Sequence, residues 1–222
     1  MDGRYCPGRA LSIRFLTVRF VDATNKALWL DFFSRAFAYP DQRLLQWLEQ
    51  GGIPFLRAGI ADPAGSIPAP QAESLLREAQ QLVAASDRQG VESDYIALFE
   101  LNPKQPPVRM YGGLYRGEEE RLPLLQRLSA LYREYGLELA GGAEQPDHLT
   151  VELEFLSFLY RSVDDPQQDE AGRGKLQSDI TFLGRHLLWS HEFARQLADR
   201  HPFYRSLAQL LVEVLTIPGE GE

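Results

Sequence analysis

The sequence predicts an all-α protein, a single-domain bundle of about nine or more helices. Two patterns carry this prediction. Apolar residues recur at steps of three and four along most of the 222-residue chain, and this spacing places side chains on one face of a helix. Alternation typical of strands is convincing only in residues 11–21. We divide the chain into an N-terminal arm (1–23), a helical domain (24–216) and a C-terminal tail (217–222).

The individual helices follow from local signals. Asp41 follows Pro40 and precedes Leu44 and Leu48, which predicts an N-cap followed by an apolar stripe. Further helical patterns cover residues 75–83, 91–101, 124–135, 148–163, 180–200 and 203–214. The helix at 148–163 is apolar on two sides, so we expect it at the centre of the fold.

Two proline-containing stretches interrupt the helices. Residues 53–70 contain four prolines and are expected to form a loop. Residues 102–113 contain three prolines and two glycines, which predicts an irregular ordered loop or a hinge.

Charge and composition narrow the class of protein. The apolar and charged fractions, 44% and 24%, are those of an ordinary globular protein. The net charge of −8 argues against broad nucleic-acid binding and is compatible with a cationic peptide partner. The single cysteine, Cys6, cannot form an internal disulfide, which favours the reducing cytoplasm.

The chain carries no clear membrane or export signal. No run approaches the roughly 20 apolar residues that span a bilayer. The apolar run at 11–21 is interrupted by Arg14 and Arg19, unlike the core of a secretory signal peptide. An amphipathic arm, or an artefact of an upstream start codon, accounts better for this segment.

Enzyme signatures are absent from the sequence. There is no phosphate-binding glycine loop, dinucleotide fingerprint or nucleophile elbow. His148 and Glu152 are four residues apart and could share a helix face, but two ligands are too few for a metal site. We therefore predict a binding protein without catalytic residues, metal or cofactor.

The segment around residue 147 is the most informative. Asp147 follows Pro146, which predicts that Asp147 caps the next helix. A capping aspartate beside His148 could also receive an arginine, so we expect both side chains to be partly exposed. Residues 144–170 hold eight acids against one arginine. Such a run is typical of a solvated surface, but it also suits a cationic partner.

These residues also carry a family resemblance. The pattern Glu144-x-Pro-Asp-His-Leu, followed by Glu152-Leu and Phe155-Leu, resembles the signature of the TorD/DmsD/NarJ family of redox-enzyme maturation chaperones. Segments that are similar to the family also lie at residues 39–41, 95–99, 182–197 and 203–207.

The resemblance implies an all-helical cytoplasmic chaperone, monomeric or a domain-swapped dimer. It implies binding to the twin-arginine signal peptide, or another terminal segment, of the catalytic subunit of a molybdopterin-dependent oxidoreductase. The chaperone would hold that subunit until its molybdopterin guanine dinucleotide is inserted, before export or membrane attachment. The family's peptide-groove residues correspond to Tyr95, Leu98, Phe99, Pro107, Tyr111, Asp147 and His148. Some members have a Pro-Trp pair where this chain has Pro106-Pro107-Val108, so the resemblance implies neither the exact peptide nor the sub-branch of the family.

Two alternatives stay open. The same acidic and aromatic cleft could bind a small molecule or a guanine nucleotide in a regulatory protein. Alternatively, the chain could be a helical subunit in which Asp147 is only a cap. For Tyr95, Leu98 and Phe99, helical spacing is equally typical of core packing, and we expect them to contribute to both packing and client binding.

Overall fold

The structure is a computed structural model that describes residues 23–62, 67–101, 107–139, 144–163, 165 and 169–216. Most of the N-terminal arm and the whole C-terminal tail lie outside the described residues. Within the described residues the fold is all-α, as predicted, with ten α-helices. These are α1 Ala23–Ala36, α2 Gln42–Trp47, α3 Ile53–Ala61, α4 Ala69–Ala85, α5 Arg88–Tyr95, α6 Glu118–Glu134, α7 Leu149–Arg161, α8 Glu170–His186, α9 Ser190–Leu197 and α10 Pro202–Leu215.

Short irregular helical pieces connect or extend these helices. A π-helical turn at Leu48–Gly52 joins α2 to α3, and a second at Ile96–Glu100 extends α5. Short 3-10 helices lie at Gly112–Tyr115 and Leu187–Trp189. Single π-helical turns are frequent at functional sites, and the turn at Ile96–Glu100 borders the cavity described below.

Aspartates begin three of the helices. Asp41, the predicted N-cap of α2, accepts a hydrogen bond from the backbone N–H of Arg43, so this prediction is confirmed. Asp87 and Asp169 cap α5 and α8 in the same way. Each carboxylate satisfies a backbone donor that the first helical turn leaves free.

The loop predicted at 53–70 is wrong for its first half, where Ile53–Ala61 forms α3. The misleading residue is Pro54, which lies in the first turn of the helix. A proline there loses no intrahelical hydrogen bond, because the first N–H groups of a helix have no partner within it.

Helix α7 lies at the centre of the fold, as predicted, and packs against α1 and α8. The hydroxyl of Ser157 donates to the carbonyl of Ala27 at 2.8 Å, and that of Ser34 donates to the carbonyl of Thr150 at 3.1 Å. These bonds pair the start of α1 with the end of α7, so the two helices run antiparallel.

An aromatic cluster fills the core beside α10. Ring centroids lie 4.9 Å apart for Tyr95 and Phe99, 5.2 Å for Phe99 and Tyr204, and 5.4 Å for Phe37 and Phe193. All five side chains are buried. Such contacts fix the end of α5 against the rest of the bundle.

Candidate functional site

A cavity of about 710 Å³ opens where three segments of the chain meet, and Arg121 of α6 completes its lining. One segment is the end of α5 with its π-helical turn, the second is residues 109–114, and the third is residues 144–148. Its lining residues are Tyr95, Phe99, Glu100, Arg109, Met110, Tyr111, Leu114, Arg121, Glu144, Gln145 and His148.

Backbone hydrogen bonds hold the second and third segments together. The N–H of Leu149 donates to the carbonyl of Met110, and the N–H of Gly112 donates to the carbonyl of Asp147, both at 2.8 Å. Tyr111 and His148 face each other across this short antiparallel pairing, with ring centroids 4.9 Å apart. Residues far apart in sequence thus form one wall of the cavity.

Four of the seven residues expected in the peptide groove line this cavity, namely Tyr95, Phe99, Tyr111 and His148. The other three do not. Leu98 is buried in the core, Pro107 is half-buried in the preceding loop, and Asp147 is fully buried. Tyr95 and Phe99 are also core residues, since 4% and 7% of their surfaces are exposed.

The expectations for Asp147 are wrong on two counts. Its side chain is 0% exposed, and it does not cap α7. Its Oδ2 accepts the backbone N–H of Gly113 at 2.9 Å, so the carboxylate stabilises the turn that begins the Gly112–Tyr115 helix. The carboxylate accepts a hydrogen bond from a backbone group 34 residues away in sequence. A capping rule that considers only neighbouring residues does not predict such a contact.

His148 is the N-cap of α7 in place of Asp147. Its Nδ1 lies 2.7 Å from the hydroxyl of Thr150 and accepts a longer bond, 3.4 Å, from the Thr150 N–H. The side chain is buried rather than partly exposed, at 5% of its surface. Burial lowers the pKa of His148 to about 4, although the nearby Glu144 opposes this shift. The imidazole is therefore neutral at pH 7.

The lowered pKa of His148 predicts a loss of stability in acid. In the unfolded chain a histidine binds a proton below about pH 6.5, whereas folded His148 does so only near pH 4. Acidification through this window therefore favours unfolding, by up to about 1.4 kcal/mol per pH unit for this group. In urea unfolding between pH 7 and 4, His148→Gln should show a shallower pH dependence than the parent. Equal slopes would contradict this assignment.

Three charged side chains around the cavity mouth, those of Glu144, Arg121 and Arg109, form hydrogen bonds within the protein. The hydroxyl of Tyr111 donates to Glu144 Oε2 at 2.6 Å. Arg121 donates to the side-chain oxygen of Gln145 at 3.2 Å, and Arg109 donates to the carbonyl of Leu114 at 3.4 Å. Glu144 and Glu100 are exposed, and they are the carboxylates that an incoming cation can reach.

A buried polar cluster lies on the other side of this wall. Glu152, His186 and Trp189 are all buried. The Nε1–H of Trp189 donates to Glu152 Oε2 at 3.2 Å, and His186 Nε2 lies 2.5 Å from Glu152 Oε1. Burial raises the pKa of Glu152 well above its ordinary value, and the Trp189 hydrogen bond opposes this effect.

Arg116 determines the tautomer of His186. Its Nη2 lies 3.1 Å from His186 Nδ1, and a guanidinium can only donate. Nδ1 must therefore accept, so the ring proton is on Nε2 and is donated to Glu152. Burial, together with the charge of Arg116, lowers the pKa of His186 to about 4, consistent with a neutral ring. Both carboxylate oxygens of Glu152 thus accept a hydrogen bond.

The Gly112–Gly113 pair lets the chain pass close to this cluster. A Cβ atom at Gly112 would lie 2.5 Å from Trp189 Nε1 and 2.9 Å from His186 Nε2. At Gly113 it would lie 2.7 Å from Asp147 Oδ2. Both glycines are therefore required by close packing.

Several residues of the site were missed by sequence reasoning. Glu152 was counted in an exposed acidic face, although it lies three residues after Leu149 and four before Leu156, in the apolar stripe of α7. An acid at such a position indicates a buried polar contact. His186 similarly lies three residues after Leu183 in the buried stripe of α8. The sequence contains no comparable pattern that would identify Glu100, Arg109 and Arg121 as residues of the site.

Among the described residues, no helix has the length and apolarity needed to cross a membrane. No group of three or more histidine, cysteine, aspartate or glutamate side chains among them is arranged to hold a metal ion.

Comparison with known proteins now places the chain in a family. The family model described as "Nitrate reductase delta subunit" matches residues 65–195, which is more than half of the chain. The chain belongs to this family. Members of the nitrate reductase delta subunit family and TorD proteins are both similar to this chain, so the predicted relationship to redox-enzyme maturation chaperones is confirmed.

Curated relatives extend the match. The selenate reductase assembly chaperone protein of Thauera selenatis is 32% identical over 68% of this chain and 79% of its own length. The chlorate reductase assembly chaperone protein of Ideonella dechloratans is 31% identical over 59% of this chain and 69% of its own length. A TorD chaperone of Photobacterium profundum is 29% identical over 54% and 58%, respectively.

A solved structure shares the helical fold of this chain. The crystal structure described as a putative redox enzyme maturation protein from Archaeoglobus fulgidus aligns with a TM-score of 0.53. The alignment covers 97% of this chain and 99% of that protein, at 21% identity. At this identity the likeness establishes the shared helical fold.

Proposed function

We propose that this protein is an assembly chaperone for the catalytic subunit of a molybdopterin-dependent oxidoreductase. Its family membership and its relatives, which are named as chaperones of selenate, chlorate and perchlorate reductases, support this proposal. The chaperone holds a terminal segment of the subunit in the cytoplasm while the cofactor is inserted, before export or membrane attachment. Holding a segment requires no catalytic residue.

The single observation that carries the proposal is the 710 Å³ cavity, with aromatic walls and carboxylates at its mouth. Phe99, Met110 and Leu114 offer apolar contacts to a hydrophobic stretch of the client. Glu144 and Glu100 offer carboxylates to an arginine that precedes this stretch, preferably in a bidentate pair. Client binding is thereby assigned to surface carboxylates, while the buried Asp147 positions the Gly112–Gly113 turn.

The same cavity is also large enough for the alternative function, binding of a small molecule or a guanine nucleotide. Its volume falls within the range of about 300–1,000 Å³ that is typical of small-molecule sites. Arg109 and Arg121 also line the cavity, but they donate hydrogen bonds within the protein, to the carbonyl of Leu114 and to the side chain of Gln145. The exposed carboxylates of Glu100 and Glu144 would repel the phosphates of a guanine nucleotide. Titration with GTP in the absence of peptide distinguishes the two functions, and we expect no saturable binding in this cavity.

The proposed site predicts selective binding of a basic peptide. The probe is a synthetic peptide with two arginines before an apolar stretch, compared with one in which glutamines replace the arginines. Glu144→Gln should weaken binding of the arginine peptide about ten-fold or more at low salt, because a charged hydrogen bond contributes about 1.5–3 kcal/mol. The loss should shrink as salt rises. Titration calorimetry measures each affinity.

Glu154→Gln is the matched control, since Glu154 is an exposed acid of α7 outside the cavity. It should bind the arginine peptide as the parent does. If the parent binds both peptides equally, or if Glu144→Gln and Glu154→Gln have equal effects, the carboxylates at the cavity mouth have no role in recognition.

A further inference from the structure

A second cavity, of about 420 Å³, lies between α6 and α8 and shares no lining residue with the first. Three arginines line it, Arg116, Arg127 and Arg185, with His186 among them. No carboxylate is among its lining residues, although the whole chain carries a net charge of −8. Positive charge is therefore concentrated locally on an acidic protein.

Uncharged groups hold two of these arginines in place. Arg116 is bonded to the neutral ring of His186 at 3.1 Å. The guanidinium of Arg127 lies 3.5 Å from the ring centroid of Phe182, which is a cation–π contact. Such partners orient a guanidinium without neutralising its charge.

Carboxylates compensate the charges of Arg116 and Arg127 only weakly. Arg116 has one acidic partner, Glu120, at 3.6 Å, and both side chains are substantially exposed. Exposed pairs of this kind contribute little. Within the described part of the chain, no carboxylate forms an ion pair with Arg127. Arg116 and Arg127 are thus oriented cations that have hydrogen-bonding capacity to spare.

Uncharged donors complete the wall that α8 contributes. Ser178 and Gln177 line the cavity beside Arg185. Planar guanidinium groups bind phosphate oxygens in pairs, and hydroxyl and amide donors can bind the remaining oxygens. A tetrahedral, multiply charged oxyanion matches this set of donors.

We propose that this cavity binds a phosphate-type oxyanion, either free phosphate or the phosphoryl group of a small phosphate ester. A volume of about 420 Å³ is that of a small-molecule site. The proposal does not rest on client binding, because it concerns different residues on different helices.

Titration calorimetry of the full chain tests this proposal with two probes, inorganic phosphate and glycerol 1-phosphate. Potassium chloride at matched ionic strength is the control titration. We expect saturable binding of one anion per chain. Arg127→Gln should weaken it about ten-fold or more. Arg133→Gln should leave it unchanged, since Arg133 is an exposed arginine of α6 that bonds to the carbonyl of Ser129.

The two probes distinguish the sources of the anion. Tighter binding of glycerol 1-phosphate would assign the site to a phosphate ester, and equal affinities would assign it to free phosphate. Arg185→Gln provides a second exposed variant should Arg127→Gln lower the melting temperature. Heats that match the chloride control, or parental affinity in both Arg127→Gln and Arg185→Gln, would overturn the proposal.

Discussion

Replacing Glu152 with alanine should destabilise the protein by about 2–6 kcal/mol, because each of the two buried donors left without an acceptor costs about 1–3 kcal/mol. The carboxylate accepts hydrogen bonds from both His186 and Trp189 in a site that is closed to solvent. Its removal leaves two buried N–H donors without an acceptor. Urea unfolding followed by far-UV circular dichroism measures the loss.

Two companion variants separate this effect from a simple change of charge on α7. Glu154→Ala removes an exposed acid of the same helix and should change stability by no more than about 0.5 kcal/mol. Glu152→Gln keeps the volume, but its amide N–H₂ must face one of the two donors, so an intermediate cost is expected. A loss below about 1 kcal/mol for Glu152→Ala would show that the cluster is not a stabilising unit.

Gly112→Ala should be the most damaging small substitution in the wall between the two cavities. The added methyl group would lie 2.5 Å from Trp189 Nε1 and 2.9 Å from His186 Nε2, well inside van der Waals contact. Overpacking of this kind costs about 1–3 kcal/mol or more. It would also push Trp189 away from Glu152, so the substitution should weaken the buried cluster as well.

Gly174→Ala provides a control with the opposite expected sign. Gly174 lies within α8, and a Cβ atom there would meet nothing within 4 Å. Alanine should therefore stabilise this helix by about 0.5–1 kcal/mol. Thermal melting of both variants gives the comparison. A Gly112→Ala protein as stable as the parent would mean that the wall can move at little cost.

The helices could be predicted from sequence because their signals are local. The apolar stripe of α7 and the Asp41 cap are each encoded within a few residues. The wrong prediction of a loop at Ile53–Ala61 also has a local cause. A proline in the first turn of a helix cannot be distinguished, from sequence alone, from a proline in a loop.

The site was predictable only in part. Tyr95, Phe99, Tyr111 and His148 were expected from family resemblance, and they do line one cavity. The burial of Asp147 and its bond to Gly113 depend on a contact between segments 34 residues apart, which no local pattern contains. The pairing of Glu152 with His186 is long-range in the same way.

Photo-cross-linking tests the central claim most directly, namely that the client segment binds in the cavity between α5, residues 109–114 and residues 144–148. The arginine peptide, carrying a photoreactive phenylalanine analogue in its apolar stretch, is irradiated with the purified protein and the cross-linked sites are mapped by mass spectrometry. We predict cross-links within residues 95–100, 109–114 and 144–148, and we expect excess unlabelled peptide to abolish them. Cross-links confined to other surfaces, such as the α6–α8 cavity, would contradict the account.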